Sequence, residues 1–195
     1  MGRRKSREER REEVLEEGLK LLHEKGHAHI TVGEIADRIG ISEAAVYRHF
    51  DSKEDIIQGM AEKVFSIDLV DREKLEFDSP ERLLNTLFEE LFRKLEDNPE
   101  ATAILFHDEV FSRYPKVEKL FRKHRNGKKS RLEELVRIGQ EAGIFSEEVE
   151  PEVFATMVTG SIRATVMEWR EENFSRPLTE ESGKLAEHFA RIIEK

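Results

Sequence analysis

The sequence predicts an all-α protein. Apolar residues recur at helical spacing in segment after segment, and no stretch shows the alternation that is typical of a strand. The five prolines all lie after residue 79, each at or near a position where a helix can begin or break. These observations predict about nine helices, divided between an N-terminal domain of residues 1–53 and a second domain of residues 54–195.

The first helix is predicted from about residue 8 to Lys25, and Gly26 marks its end. One face is apolar and would cover the two helices that follow. That face consists of Val14, Leu15, Leu19 and Leu22.

The second helix begins near Thr31. Thr31 and Glu34 have the spacing of a capping box, in which each side chain accepts a hydrogen bond from the other residue's backbone N–H. Gly40 then supplies a residue that adopts the left-handed conformation without a Cβ penalty, which ends the helix. The chain is therefore expected to turn at Gly40.

The third helix is short, with Ser42 as its N-cap and Val46 and Phe50 facing inward. Two short helices joined by a turn of about four residues fit a helix-turn-helix, whose second helix lies in the major groove of DNA. A helical corner used only for packing is the alternative. The residues expected to face outward, wholly or in part, are Glu43, Ala44, Ala45, Tyr47, Arg48 and His49.

Three side chains in or after this helix can donate to phosphate oxygens, namely those of Tyr47, His49 and Lys53. Lys53 follows Ser52, the predicted cap of helix four, so it lies at a positive helix N-terminus that suits an anion. A helix used only for packing would leave these donors without a purpose.

The pattern TxxxIAxxxGISxxxVYRHFxSKED, from Thr31 to Asp55, resembles the DNA-binding signature of the TetR family of bacterial regulators. The resemblance covers about the first quarter of the chain without a gap. It implies a dimeric DNA-binding regulator whose second, all-helical domain binds an effector.

The sequence departs from the family pattern at Ala44 and Ala45, where relatives often carry Gly and Thr. The alanine methyl groups would favour apolar contact with thymine methyls, or they serve only as helix formers. Within this region the expected DNA-binding residues are Thr31, Ser42, Glu43, Ala44, Ala45, Tyr47, Arg48, His49 and Lys53.

Charge is unevenly distributed along the chain. Residues 1–53 have no net charge, so the later residues carry the whole net charge of −9. The first eleven residues form a basic arm that could follow phosphates or enter a minor groove, with Arg3, Arg4 and Lys5 as its expected contacts. A frayed terminus without a function is the alternative.

The second domain is divided into helices by its prolines and caps. Helix four, from about Ser52 to Asp71, links the domains. Later helices are expected to begin at Pro80 after a Ser79 cap and at Pro99 after an Asn98 cap. The next begins at Pro115, with a possible break at Asn126 and Gly127 and an end near Gly143. The last two begin at Pro151, with an end near Trp169, and at a Thr179 cap.

The helix that begins at Pro151 is apolar on more than one side, and Gly160, Ser161 and Ala164 permit close approach of another helix. With the last helix it is the predicted dimer interface, although burial within one subunit would explain the same residues. The predicted interface residues are Val158, Ile162, Thr165, Val166, Trp169, Leu185, Phe189 and Ile193.

Phenylalanine is over-represented, with twelve Phe against two Tyr and one Trp. These rings either fill the core or enclose an apolar or aromatic ligand. Arg163 is a lone charge amid Thr159, Ile162 and Val166, so it is expected to pair with a carboxylate of the protein or of the ligand. The predicted ligand-binding residues are Phe88, Phe92, Phe106, Phe111, Phe121, Phe154 and Arg163, and Phe145 is a further candidate.

Other classes of protein are disfavoured. The chain has no cysteine, no apolar run of about 20 residues and no apolar signal core, so we expect a cytoplasmic protein without a disulfide. His107, Asp108 and Glu109 are adjacent but form no paired metal-ligand motif, and no nucleophile motif such as GxSxG occurs. We therefore expect no metal, no cofactor and no enzymatic activity.

The predicted function is that of a homodimeric repressor, which leaves a palindromic DNA operator when a small ligand enters the second domain. The alternative is a DNA-bound regulator whose second domain contacts a protein partner, with no open pocket.

Overall fold

The structure is a computed structural model that describes residues 5–26, 30–71, 74–76, 78–106, 111 and 113–195. Within these ranges it has nine α-helices and no strand, apart from one isolated bridge between Phe145 and Glu194. The predicted all-α class is confirmed. The helices are α1 (Arg7–Lys25), α2 (Val32–Ile39), α3 (Glu43–Val46), α4 (Lys53–Phe65), α5 (Pro80–Asp97), α6 (Thr102–Leu105), α7 (Pro115–Glu141), α8 (Pro151–Glu171) and α9 (Ser182–Ile193).

The chain forms two compact units. Unit 1 comprises Met1–Ile67 and Pro99–Arg122, and unit 2 comprises Asp68–Asn98 and Lys123–Lys195. This division differs from a boundary at residue 53, because all of α4 and a later segment belong to unit 1.

In unit 1, helices α1 and α4 cross closely. A Cβ atom on Gly18 of α1 would lie 2.7 Å from Met60 Sδ, and one on Gly59 of α4 would lie 2.8 Å from Leu15 Cδ2. The four apolar residues predicted for the inner face of α1 are all buried. Packing at two glycines thus brings α1 and α4 together beneath the short helices α2 and α3.

Helix α4 ends at Phe65, earlier than the predicted end near Asp71. Ser66 forms the end: its N–H donates to the carbonyl of Glu62 at 3.0 Å, and its hydroxyl donates to the carbonyl of Lys63 at 2.7 Å. The serine satisfies carbonyls that a longer helix would have used.

In unit 2, aromatic rings from three helices form the core. Phe88 and Phe92 lie on α5, with their ring centroids 6.1 Å apart. Phe189 of α9 packs against Phe88 at 5.9 Å and against Phe154 of α8 at 5.6 Å. All four rings are buried.

Two predicted helix caps are wrong. Asn98 ends α5, where its side-chain amide donates to the carbonyl of Lys94, and a 3-10 turn (Pro99–Ala101) leads into the short α6. Thr179 lies in a second 3-10 turn (Leu178–Glu181), where its N–H and hydroxyl donate to the carboxylate of Glu96. In both places a side-chain hydrogen bond holds the turn, and the spacing of the sequence does not indicate that bond.

Helix α7 continues through Asn126 and Gly127, so the possible break at these residues does not occur. The next glycine of α7, Gly139, is the one that close packing requires, because a Cβ atom there would lie 2.2 Å from Phe145 Cδ2. Gly143 then turns the chain with φ of 73°.

Candidate DNA-binding site

The helix pair is held at defined ends by capping residues. Thr31 Oγ1 accepts from the N–H of Glu34 at 3.1 Å, as predicted. The Glu34 carboxylate instead accepts from Lys25 Nζ at 3.0 Å. A complete capping box is formed at the start of α1, by Ser6 and Glu9. Gly40 ends α2 in the predicted left-handed conformation, with φ of 69° and ψ of 37°.

Helix α3 is fixed by a cap at its start, by a buried residue at its end and by a second buried residue in the chain that follows. Ser42 Oγ accepts from the N–H of Ala45 at 3.2 Å. Val46 is fully buried and Phe50 is 2% exposed, which confirms both as inward residues. With only four residues, α3 depends on this packing, because isolated helices of that length are unstable in water.

The opposite side of α3 and of the turn that follows it is open to solvent. Ala44, Arg48 and Tyr47 are exposed, with Tyr47 at 47%, and Ala45 is half-buried. An exposed aromatic phenol next to an exposed guanidinium offers donors for phosphate and base edges. The surface composed of Ala44, Tyr47 and Arg48 is called the reading face below.

Basic residues surround His49, which is half-buried beside this face. Burial lowers the pKa of His49, and the nearby Arg7, Arg10, Arg48 and Arg11 lower it further. These influences favour the neutral imidazole, which carries one ring N–H. Arg11 also donates to the carbonyl of His49 at 2.9 Å and covers the Phe50 ring at 4.2 Å.

Lys53 lies in the first turn of α4, where Ser52 Oγ accepts from the N–H of Asp55 at 3.1 Å. Burial lowers the pKa of Lys53, and the positive charge of Arg113 lowers it further. Sequence reasoning missed Arg113, since nothing local connects it with a lysine 60 positions earlier. The fold brings this arginine to the start of α4.

The basic arm is only partly described. Lys5 Nζ pairs with Glu13 Oε1 at 2.5 Å, and Arg10 pairs with the other oxygen of that carboxylate at 2.7 Å. These pairs neutralise part of the positive charge along α1. Arg3 and Arg4 lie outside the described residues.

The residues predicted to bind a ligand fall in different units. Phe88, Phe92 and Phe154 belong to the aromatic core of unit 2, whereas Phe106, Phe111 and Phe121 belong to unit 1. Phe111 and Phe121 stack with centroids 5.6 Å apart. The additional candidate, Phe145, is buried against Gly139.

Arg163 is exposed on α8, so the expectation that apolar residues enclose this charge is wrong. Its neighbours Ile162 and Val166 turn inward while Arg163 turns to solvent. The helical phase that buries one stripe of α8 thus directs the arginine away from the core.

Most of the residues predicted for the dimer interface are buried within the single chain. Thr165 and Leu185 are half-buried, and the buried ones are Val158, Ile162, Val166, Trp169, Phe189 and Ile193. The same helices expose other apolar side chains, with Val153 at 50%, Met157 at 42% and Ile192 at 45%. These last residues belong to the outer face of α8 and α9, together with Gly160, Ser161 and Ala164.

No group of three metal-ligating side chains occurs in the part of the chain that the structure describes. His107, Asp108 and Glu109 lie outside that part. Across the described ranges, none of the helices is both long enough and apolar enough to cross a membrane.

A capped helix pair with an exposed second helix, supported by α1 and surrounded by arginines, defines a helix-turn-helix DNA-binding protein. Residues 14–60 match the family model described as bacterial regulatory proteins of the tetR family. The protein is a TetR-family DNA-binding regulator, which confirms the resemblance found in the Thr31–Asp55 signature. The matched family contains regulators rather than enzymes.

Known proteins resemble the chain over most of its length. Nucleoid occlusion factor SlmA from Idiomarina loihiensis is 29% identical over 178 residues, which cover 88% of each chain. The solved structure of the TetR family regulator PfmR from Thermus thermophilus has a TM-score of 0.76 and 24% identity, covering 91% of this chain and 97% of PfmR. That of the regulator FadR from Bacillus subtilis, in complex with stearoyl-CoA, has a TM-score of 0.74 and 18% identity, covering 92% and 97%. At such identities, the two structures establish the fold alone.

Proposed function

We propose that the protein is a homodimeric transcriptional repressor, acting in the cytoplasm, that leaves its operator when a small apolar or aromatic ligand binds. The observation that carries this proposal is the reading face, which α3 presents to solvent while Val46 and Phe50 anchor the helix beneath it. A face so placed can enter the major groove without rearrangement of the domain.

The reading face and the basic residues beside it contact different parts of the DNA. Ala44 and Tyr47 face the bases, with the Ala44 methyl suited to a thymine methyl. Arg48 and Lys53 bind phosphates on either side, and Ala45, His49 and the caps Thr31 and Ser42 support them. Glu43, at the start of α3, is placed to accept from a base amino group.

A second copy of the chain covers the outer face of α8 and α9. Gly160 supports this assignment, because a Cβ atom there would have no neighbour within 4 Å in its own chain. The missing side chain thus serves no packing purpose inside the subunit, whereas small residues permit a partner helix to approach closely. The exposed side chains of Met157 and Ile192 line the same shallow surface hollow as Gly160, and Val153 is exposed one turn before Met157. A stable monomer has little reason to keep these apolar side chains in water.

Dimerisation sets the geometry of the operator. Two recognition helices must lie about 34 to 36 Å apart to meet successive major grooves on one face of DNA. A two-fold dimer therefore reads a palindrome. A ligand that binds more tightly to a dimer with a different spacing shifts the protein away from the DNA-binding form. A coupling free energy of about 1 to 3 kcal/mol changes operator affinity roughly 5-fold to 150-fold.

The aromatic core of unit 2 favours an apolar or aromatic effector. Phe88, Phe92 and Phe154 supply rings without polar groups that a ligand would have to satisfy. The stearoyl-CoA complex of the FadR structure shows that a similar fold accommodates an acyl chain in that protein.

A second candidate function is that of a DNA-bound regulator whose unit 2 contacts a protein. The likeness to SlmA favours it, since that relative is named for nucleoid occlusion rather than for a small effector. The ring contacts among Phe88, Phe154 and Phe189 also favour it, because they are those of a packed core.

Fluorescence anisotropy with labelled DNA from upstream of the coding gene tests both candidates. The protein is titrated at several salt concentrations, with and without acyl, aromatic and cationic compounds. Selective, salt-sensitive binding that one compound class releases supports the ligand-regulated repressor. Selective binding that no compound changes favours the protein-partner function, and a scrambled duplex controls for non-specific attraction.

A further inference from the structure

Helix α7 places two basic residues on its inward stripe within unit 2. Val136 is fully buried, and the stripe continues toward the N-terminus in steps of four through Leu132, Lys128 and His124, each of them half-buried. A lysine and a histidine thus occupy positions where an amphipathic helix ordinarily carries leucine.

Neighbouring Lys129 shows what an ordinary lysine does on this helix. Its Nζ pairs with Glu152 Oε1 of α8 at 2.8 Å. Lys128 forms no ion pair with any residue in the described part of the chain. Both lysines are half-buried, and within the described residues only Lys129 has a carboxylate as its partner.

The environment of Lys128 opposes its charge. Burial lowers the pKa of Lys128 to about 8, and nearby Arg131 lowers it further. Burial lowers the pKa of His124 to about 4, with Lys128 and Arg131 adding to the effect. Three basic groups at spacings of four and three therefore share one region of α7, in a chain whose net charge is −9.

We propose that unit 2 binds a ligand with an anionic headgroup, a carboxylate or a phosphate, which Lys128 holds with His124 and Arg131 beside it. The proposal rests on the ligand-regulated function above and adds a charge to the predicted apolar effector. An anion offsets the repulsion between the Lys128 and Arg131 cations and makes charge-assisted hydrogen bonds to the ammonium group, while the neutral His124 can add a ring N–H donor. The ligand class is thus an anionic amphiphile, whose chain adjoins the apolar side chains of unit 2.

Isothermal titration of the full-length protein tests the headgroup directly. The probes are dodecanoate, dodecyl phosphate and uncharged dodecanol, which share one hydrocarbon chain. We expect at least one anion to bind about tenfold more tightly than dodecanol, and the tighter of the two anions identifies carboxylate or phosphate as the natural headgroup. Equal affinity for all three probes, or no binding of either anion, overturns the proposal.

Variants locate the anion. Lys128→Met keeps the length of the side chain without its charge and should weaken binding of the preferred anion about tenfold, while Lys128→Arg retains binding. Lys129→Met is the matched control and should leave affinity unchanged. Full affinity in Lys128→Met overturns the assignment.

DNA release, measured in parallel by anisotropy, separates this inference from the proposed function. If dodecanol releases the protein from DNA and this release does not depend on Lys128, ligand regulation is supported and the anionic site is refuted. If an anion binds through Lys128 but does not change DNA binding, the anionic site is supported and ligand regulation is refuted.

Discussion

Glu54 of α4 caps the beginning of α7: its Oε1 accepts from the backbone N–H of Lys116 at 3.1 Å. The neighbouring carboxylate of Asp55 lies 3.9 Å from Lys116 Nζ. The first turn of α4, which also carries Lys53, therefore anchors the start of a helix more than 60 residues later in the chain.

Substitution Glu54→Ala should destabilise the protein by about 1 to 2 kcal/mol, since it removes the cap on α7 and an acidic residue from the first turn of α4. Urea unfolding measures the loss. Glu81→Ala, in the first turn of α5, is the control and should lose only the smaller helix-dipole contribution. Equal losses in both variants would show that the Lys116 contact contributes nothing.

Substitution Arg48→Ala should weaken DNA binding and flatten its salt dependence. Each lost phosphate contact reduces the slope of log K against log salt by about one per subunit. Anisotropy titrations between low and moderate salt give the slope. Arg82→Ala, at an exposed arginine of α5, should leave both affinity and slope unchanged, and an unaltered slope in Arg48→Ala would exclude a phosphate contact.

Substitution Gly139→Ala should destabilise the protein by about 1 to 3 kcal/mol, because the added methyl meets the buried ring of Phe145. Gly127→Ala on the same helix meets nothing within 4 Å, so helix propensity should raise stability by up to about 1 kcal/mol. Opposite shifts in the urea midpoint are expected. A stabilised Gly139→Ala variant would contradict the packing.

The protein's stability should depend on the charge of Lys128. Its pKa is about 8 in the folded protein and near 10.5 when unfolded, so the unfolded state binds more protons between these values and stability rises with pH there. Lys128→Met should therefore be more stable than the natural protein at pH 7, with an advantage that shrinks toward pH 10. Urea midpoints at several pH values measure this difference. A stability advantage of Lys128→Met that stays the same from pH 7 to pH 10 would contradict this prediction.

Substitution Gly160→Arg should yield monomers, because the side chain projects from the outer face into the space assigned to a second copy. Light scattering coupled to size exclusion gives the mass, and anisotropy should show weakened operator binding. Gly127→Arg is the matched control, since this glycine also faces open space on a helix. A dimeric Gly160→Arg protein would place the interface elsewhere.

The N-terminal part was predictable because its signals are local. Thr31, Ser42 and Ser52 each cap the helix that follows, and Gly40 adopts the left-handed conformation. Val46 and Phe50 are buried as predicted, although α3 ends at Val46 and Phe50 lies after it. Capping depends on atoms three residues apart, so sequence alone carries the information.

The later chain was less predictable because packing between distant segments decides it. Helix α8 is apolar on several sides, so its sequence does not indicate which stripe meets the core and which remains exposed. Spacing likewise could not show that Lys129 pairs with Glu152 of another helix, or that Thr179 bonds to Glu96. These outcomes depend on partners that lie far away in sequence.

Each of the first four helices begins with a serine or threonine whose hydroxyl accepts from the backbone N–H three residues later. The recognition segment is consequently ordered before any DNA arrives, even though its helix has only four residues. Little conformational entropy then remains to be lost on binding. Calorimetry on an operator duplex should accordingly lack the large negative heat-capacity change that accompanies folding on association.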